Sequence, residues 1–282
     1  METHKESPLK KHRRQPKIYI DLPSNGKFYK SGTVSGDVFT QLAVFSMTAN
    51  DDILFKTPDA LINGQATVKN IQSCIPSILD PWQVPMIDLD TILIAIRLST
   101  YGADLSVQSK CPHCKSENKY DIPLQRFIDY FNTLEYKDTF VIDDFVIKTR
   151  PLTYREYTDN QKEMLAFQRA LSVQAPQIED QEQRELFEQD VVSRIADHNL
   201  KVLIMSITSV TVENEVENDL QEIVNWIADA DAKVFHALKS HTERNVKLWS
   251  TPKHTVVCGN DECNKEHTII VRLDQSDFFG KG

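Results

Sequence analysis

The chain has 282 residues, enough for one large domain or two medium ones with a substantial core. Apolar residues make up 40% and charged residues 26%, the balance of an ordinary globular protein. Its 32 basic and 41 acidic residues leave a net charge of −9, which argues against a general nucleic-acid binder, because such proteins carry a basic excess. The charge is uneven: residues 1–17 are basic and residues 178–222 are acidic.

No apolar signal run opens the chain, so export is not expected. The longest apolar runs, 92–96 and 202–207, are far too short to span a membrane. A cytosolic, reducing setting follows, and there paired cysteines more often hold metal than form disulfides.

In chain order, residues 1–17 read as a disordered basic arm. Residues 18–22 alternate like a strand, and Pro23-Ser24-Asn25-Gly26 is a turn by residue type. Residues 38–44 are a second strand candidate. Thr48 caps a short helix, with Asp51 three residues on. Residues 66–79 have helical spacing that puts Cys74 on a buried face. Asp90 caps a helix over 91–101 that is apolar nearly all round, with Gly102 ending it and Arg97 as its only charge. That arginine needs a partner or a route to solvent.

Two similar units follow. Residues 104–109 and 119–124 flank Cys111-Pro112-His113-Cys114 as a hairpin, and 255–257 and 267–273 flank the pair Cys258 and Cys263 in the same way. Each unit runs strand, cysteine pair, polar tip, strand, then Leu and Phe (Leu124 and Phe127; Leu273 and Phe278). Between them, 140–150 reads as a strand and Thr153-Tyr154-Arg155-Glu156 as a capping box. Three helices are expected over 153–245. Ala175-Pro176 separates the first two, and 210–216 joins the last two.

The four paired cysteines are the strongest chemical signal. Four thiolates saturate a tetrahedral zinc ion, and the spacings CxxC and CxxxxC suit two ligands each. Cys111, Cys114, Cys258 and Cys263 are therefore the expected ligands of one structural Zn2+ per chain. The competing readings are four ordinary reduced cysteines and a redox role for Cys111 and Cys114, which lacks the βαβ setting of a thioredoxin. His113, His254 and His267 lie nearby and are expected to face solvent rather than the metal. The knuckle tips mix Lys110, Lys115 and Lys119 with Glu117 and Asp121, and Lys265 with Asp261, Glu262 and Glu266, so no basic stacking platform for nucleic acid forms there. There is no P-loop, GxGxxG, GxSxG or HExxH, and the adjacent acids Asp51-Asp52 and Asp143-Asp144 suit caps and turns rather than a catalytic dyad. No catalytic residue and no small-molecule substrate are expected.

The run Leu22-Pro23-Ser24-Asn25-Gly26-Lys27-Phe28-Tyr29 begins a series of segments that resembles the baseplate hub assembly proteins of T4-like, contractile-tailed phages. Met47 to Asp52, Ile71 to Ile75, Asp88-Leu89-Asp90, Ile94 to Arg97, Thr100 to Gly102 and the first knuckle continue it over residues 18–125, with a return near 258–274. The resemblance implies a late, non-enzymatic part in building the tail baseplate, with other phage tail proteins as partners. It also implies a location in the host cytoplasm during assembly and in the virion baseplate if the chain is retained. The acidic helical face would be either a plain solvated surface or the docking surface, with salt-dependent association in the second case.

The expected architecture is α+β: a basic arm (1–17), a mixed core with the first zinc knuckle (18–150), an inserted helical subdomain (151–245), and the second knuckle returning to the core as the other half of a zinc ribbon (246–282). The alternative is a zinc-ribbon nucleic-acid-binding or transcription-associated factor, which would bind DNA with a steep salt dependence. A metal-dependent enzyme is a further alternative, and it would need a water in place of one thiolate.

Overall fold

The computed structural model describes residues 13–37, 39–55 and 63–271. The arm's first twelve residues, Val38, Leu273 and Phe278 lie outside them.

Strands β1 (Pro16–Ile20) and β2 (Leu42–Phe45) pair antiparallel. The basic arm therefore ends earlier than residue 17. Arg14 donates to the Ser46 carbonyl at 2.7 Å, lies 3.8 Å from the Asp51 carboxylate and stacks over the Phe45 ring, so this end of the arm is anchored. The second strand starts at Leu42 rather than residue 38, because Gln41 takes the left-handed region (φ 55°) and extended pairing begins after it.

Helix α1 (Ala49–Phe55) opens with the expected box. The Asp51 amide donates to the Thr48 hydroxyl at 3.2 Å, and the Thr48 amide donates to the Asp51 carboxylate at 2.7 Å. Helix α2 (Gln65–Cys74) buries Val68, Ile71 and Cys74 on one face, as its spacing predicts, but it ends at Cys74 rather than near 79, because Ile75 turns out of helical geometry at ψ 75°. Burial pushes the Cys74 thiol up to about 12, with the Asp51 charge adding to the effect, so it is an inert core group.

Helix α3 (Met86–Tyr101) is the axis of the main core, with Ile92, Leu93, Ile94, Ala95 and Ile96 all buried. It starts five residues before Thr91, and Asp90 is not its cap. Pro85, held extended at φ −62°, occupies the N-cap position and hands directly into the helix. Arg97, 4% exposed, lies with its guanidinium 5.1 Å from the centre of the Tyr101 ring, and desolvation lowers its pKa.

The first turn of α3 receives the Pro23-Ser24-Asn25-Gly26 turn. Asp88, fully buried, accepts the Ser24 amide at 2.9 Å and the Ser24 hydroxyl at 2.5 Å. Gly26, at φ 80°, continues the turn where an L-residue is strained. Two of the segments quoted above are thus joined in space by one buried carboxylate.

Strands β3 (Asp104–Lys110) and β4 (Glu117–Pro123) form the first hairpin, followed by α4 (Gln125–Asn132), whose Phe127 and Phe131 enter the core. The expected single strand over 140–150 is a hairpin, β5 (Thr139–Ile142) and β6 (Phe145–Thr149). Asp143 turns the chain between them in the left-handed region at φ 49°, which Asp tolerates better than most residues.

Helix α5 (Tyr154–Arg169) has the predicted capping box between Thr153 and Glu156 and runs into a π-turn ending near Ala175-Pro176. Helix α6 (Gln181–Met205) follows. The expected linker at 210–216 is instead a second hairpin, β7 (Ile207–Val212) and β8 (Glu215–Glu217), with Glu213 and Asn214 both at positive φ as a type I′ turn demands. Strand β7 pairs with β6, giving a four-stranded antiparallel sheet in the order β5-β6-β7-β8. The expected last helix is two, α7 (Leu220–Asp229) and α8 (Ala232–Leu248), because Ala230 is extended (ψ 152°) and Asp231 restarts the chain. Strands β9 (Lys253–Val257) and β10 (Glu266–Ile270) make the last hairpin.

Three apolar clusters result among the described residues. The largest gathers β1–β4 and α1–α4 and also takes in Ile269 and Val271 from the last hairpin. A second joins Ile147 to α6, β7, α7 and α8, and a small third lies between α5 and α6 around Phe167 and Val191.

Burial raises the Asp88 carboxyl to about 6, against its hydrogen bonds from Ser24, which lower it. A carboxyl raised on folding stabilises most below its unfolded value, and that contribution is lost as pH rises through about 6. Asp88→Asn should therefore gain stability relative to the parent by up to about 3 kcal/mol between pH 4 and pH 7, measured by urea unfolding at both.

Candidate metal centre

Each knuckle is built by the same local device. In the first, the Cys111 amide donates to the Ser116 carbonyl and the Lys115 amide donates back to the Cys111 carbonyl, both at 3.0 Å. In the second, the Cys258 amide donates to the Lys265 carbonyl at 3.0 Å, and the Cys263 and Asn264 amides both reach the Asn260 carbonyl at 2.9 Å. The residue after the second cysteine is left-handed in both, Lys115 at φ 65° and Asn264 at φ 43°. This reversal turns the two sulfurs of a pair to one side while the flanking strands continue their ladders.

The two knuckles meet. Cys111 Sγ lies 3.9 Å from Cys263 Sγ, and Cys114 Sγ lies 3.6 Å from Cys258 Sγ. All four sulfurs lie within 4.8 Å of one another. Zinc–thiolate bonds of about 2.3 Å in a tetrahedron give sulfur–sulfur edges of about 3.8 Å, so the spacing and the donor set both suit that ion. Cys111 and Cys258 are buried, Cys263 half-buried and Cys114 exposed.

Asn118 couples the two halves. Its side-chain carbonyl accepts the Gly259 amide at 2.9 Å, and its amide group donates to the Ser116 carbonyl at 3.1 Å and reaches Cys258 Sγ at 3.6 Å. A Cβ on Gly259 would sit 3.0 Å from Asn118 Oδ1, so the close approach favours glycine there. Nothing in the sequence marks Asn118 or Ser116 except their place just beyond the first knuckle.

The sulfurs differ electrostatically. Hydrogen bonds from the Ser116 hydroxyl and amide hold Cys114 down at about 6, and Ser116 lowers Cys258 as well. At Cys263 the Lys265 amide pulls down, but desolvation and hydrogen bonding with the other sulfurs push the thiol up to about 11. Four thiolates this close repel, and a divalent cation is what would let all four ionise together.

The neighbouring histidines divide. His113 is exposed, as expected. His254 and His267 are not solvent-facing: they sit on the inward side of β9 and β10, where the strand pleat turns them toward the core. His254 lies edge-on to Phe127 at 4.8 Å, and burial with nearby Arg126 lowers its pKa. His267, 8% exposed, lies edge-on to Tyr120 at 5.9 Å. Both serve the packing of the two hairpins against each other.

The fold is thus a mixed α+β scaffold whose last hairpin is brought onto its first, with a four-sulfur cluster at the contact. A family model described as T4 bacteriophage base plate protein matches residues 16–280, from β1 to beyond the last hairpin. The chain belongs to that family. No curated protein and no solved structure matches it. No helix among the described residues is long and apolar enough to cross a membrane.

If the four sulfurs share one ion, Cys111→Ser and Cys258→Ser should each cost several kcal/mol in zinc-containing buffer, equal within about 1 kcal/mol, because either loss would leave that ion under-coordinated. Denaturant unfolding of both variants checks this, and a large effect from only one would mean separate sites. Asn118→Ala should cost about 1–2 kcal/mol by the same measurement, since it leaves the Gly259 amide without its acceptor.

Proposed function

We propose that this chain is a non-enzymatic assembly or structural protein of the phage tail baseplate hub, acting through contacts with other tail proteins, and that Cys111, Cys114, Cys258 and Cys263 form a zinc ribbon around one structural Zn2+. The observation that carries this reading is the family match, which runs over residues 16–280 rather than over a single motif. The chemistry of the donor set supports the structural role. Four thiolates fill a tetrahedral ion and leave no position for a reacting water.

In this reading the chain divides much as its sequence suggests. The core around α3 carries the ribbon, and an insertion with its own apolar clusters projects from it. The root of the insertion is firmly tied. The Tyr154 amide donates to the Val84 carbonyl at 2.8 Å, the Met86 amide to the Leu152 carbonyl at 2.9 Å, and Trp82 is held between Tyr154 (5.5 Å) and the Arg155 guanidinium (3.6 Å). A rigid root suits a part that must present a surface at a fixed angle. The acidic face of α6 is the docking surface, in the host cytoplasm during assembly and then in the virion tail baseplate.

The test is native mass spectrometry of the tagged chain recovered from infected cells, with zinc read on the same sample. One zinc per chain in complexes with tail proteins is the expected result. A metal-free chain, or one that travels with nucleic acid, would overturn the reading.

A further inference from the structure

The four sulfurs face water unequally. Cys111 and Cys258 are 0% and 3% exposed and Cys263 is half-buried. Cys114 is exposed, with its neighbours Pro112, His113 and Lys115 on the knuckle tip. A reagent arriving from solvent therefore meets Cys114 first.

Behind Cys114 lies Cys258 Sγ, 3.6 Å away on the other knuckle. The Ser116 hydroxyl touches both, at 2.9 Å from Cys114 Sγ and 3.4 Å from Cys258 Sγ. The Asn118 amide group donates to that hydroxyl at 3.4 Å and reaches Cys258 Sγ at 3.6 Å. The pair is thus held face to face, one sulfur open to water and the other behind it. A disulfide bond is about 2.05 Å long, so the two sulfurs must close by about 1.5 Å, a shift on the scale of side-chain rotation. An exposed thiolate is oxidised before buried ones, and a second sulfur within reach turns the product into a disulfide rather than a higher acid.

We propose that Cys114 is a reaction site for hydroperoxides and that Cys258 captures the product, joining the two knuckles by a disulfide. The Cys114 thiolate attacks one oxygen of hydrogen peroxide, the O–O bond breaks and hydroxide leaves, so that Cys114 becomes a sulfenic acid. The Cys258 thiolate then attacks that sulfur, the S–S bond forms and a second hydroxide leaves. Two thiolates give up two electrons, and one peroxide takes them. The new bond closes the chain between residues 114 and 258, the stretch that a shared ion would also close, and a thiol reductant reverses it. An ion held by all four sulfurs would lose two ligands in this step and leave. That last part rests on the zinc reading above, and the sulfur chemistry rests on exposure and distance alone.

Peptide mapping of the purified full chain tests it. With N-ethylmaleimide below one equivalent, Cys114 should carry at least tenfold more label than Cys111, Cys258 or Cys263. With hydrogen peroxide, and the remaining thiols then blocked, a non-reducing map should join the Cys114 peptide to the Cys258 peptide. A chromogenic chelator should register zinc release in step with that bond. In EDTA, the oxidised chain should unfold at a higher urea midpoint than the reduced chain. Preferential labelling of another of the four cysteines, a disulfide within one knuckle (Cys111–Cys114 or Cys258–Cys263), or a midpoint that oxidation does not raise would each overturn the proposal. A chain purified without zinc that still forms the Cys114–Cys258 bond would count against the zinc reading and for this one.

Discussion

Everything distinctive in this fold depends on one closure: the last hairpin must return to the first and stay there. The hairpins β3-β4 and β9-β10 are separate two-stranded sheets with no ladder between them. Two-stranded ribbons are marginal on their own in water. What joins them is side-chain chemistry. Four sulfurs lie within 4.8 Å of one another, Asn118 bridges from one knuckle to the other, and His254, His267, Tyr120 and Phe127 fill the space beneath. A shared cation would turn this set of contacts into a staple that closes a long loop, and long loops are where such a constraint stabilises most.

The closure also constrains the long stretch of chain between the two knuckles. Residues between the knuckles leave the core and come back to it, so their path must be fixed at the root. The chain does this with local, strong devices: the capping box at Thr153, the paired Arg150 and Glu156 side chains at 2.7 and 2.8 Å, and the stack of Arg155, Trp82 and Tyr154. On the other side of the core, Asp88 fastens the Ser24 turn and Arg14 fastens the start of β1. Anchors at these places let the apolar helix α3 remain buried while the start of β1, the Ser24 turn and the segment from α5 onward all attach to its surroundings.

Sequence reading recovered what local chemistry determines. The cysteine pairs were legible because the two sulfurs of each pair are near neighbours in sequence, and the capping boxes at Thr48 and Thr153 because a box needs only four residues. The buried faces of α2 and α3 followed from periodicity. The sheet β5-β6-β7-β8 was missed because β6 and β7 are joined by helices rather than a turn, and nothing local announces that pairing. Its two hairpin turns were missed because Asp143 and the pair Glu213-Asn214 adopt positive φ without a glycine. The early start of α3 was hidden by Asp90, a plausible cap that the fold places a turn inside the helix. The inward turn of His254 and His267 depended on strand register, and Asn118 on a contact between chain segments that no spacing reveals.

X-ray absorption at the zinc edge of the purified full chain tests the closure most directly. One zinc per chain with four sulfur neighbours at about 2.3 Å is the result that a shared four-cysteine site requires. A shell with fewer sulfurs, completed by nitrogen or oxygen, or two zinc ions per chain, would mean that the knuckles do not share one ion and that packing alone holds the last hairpin in place.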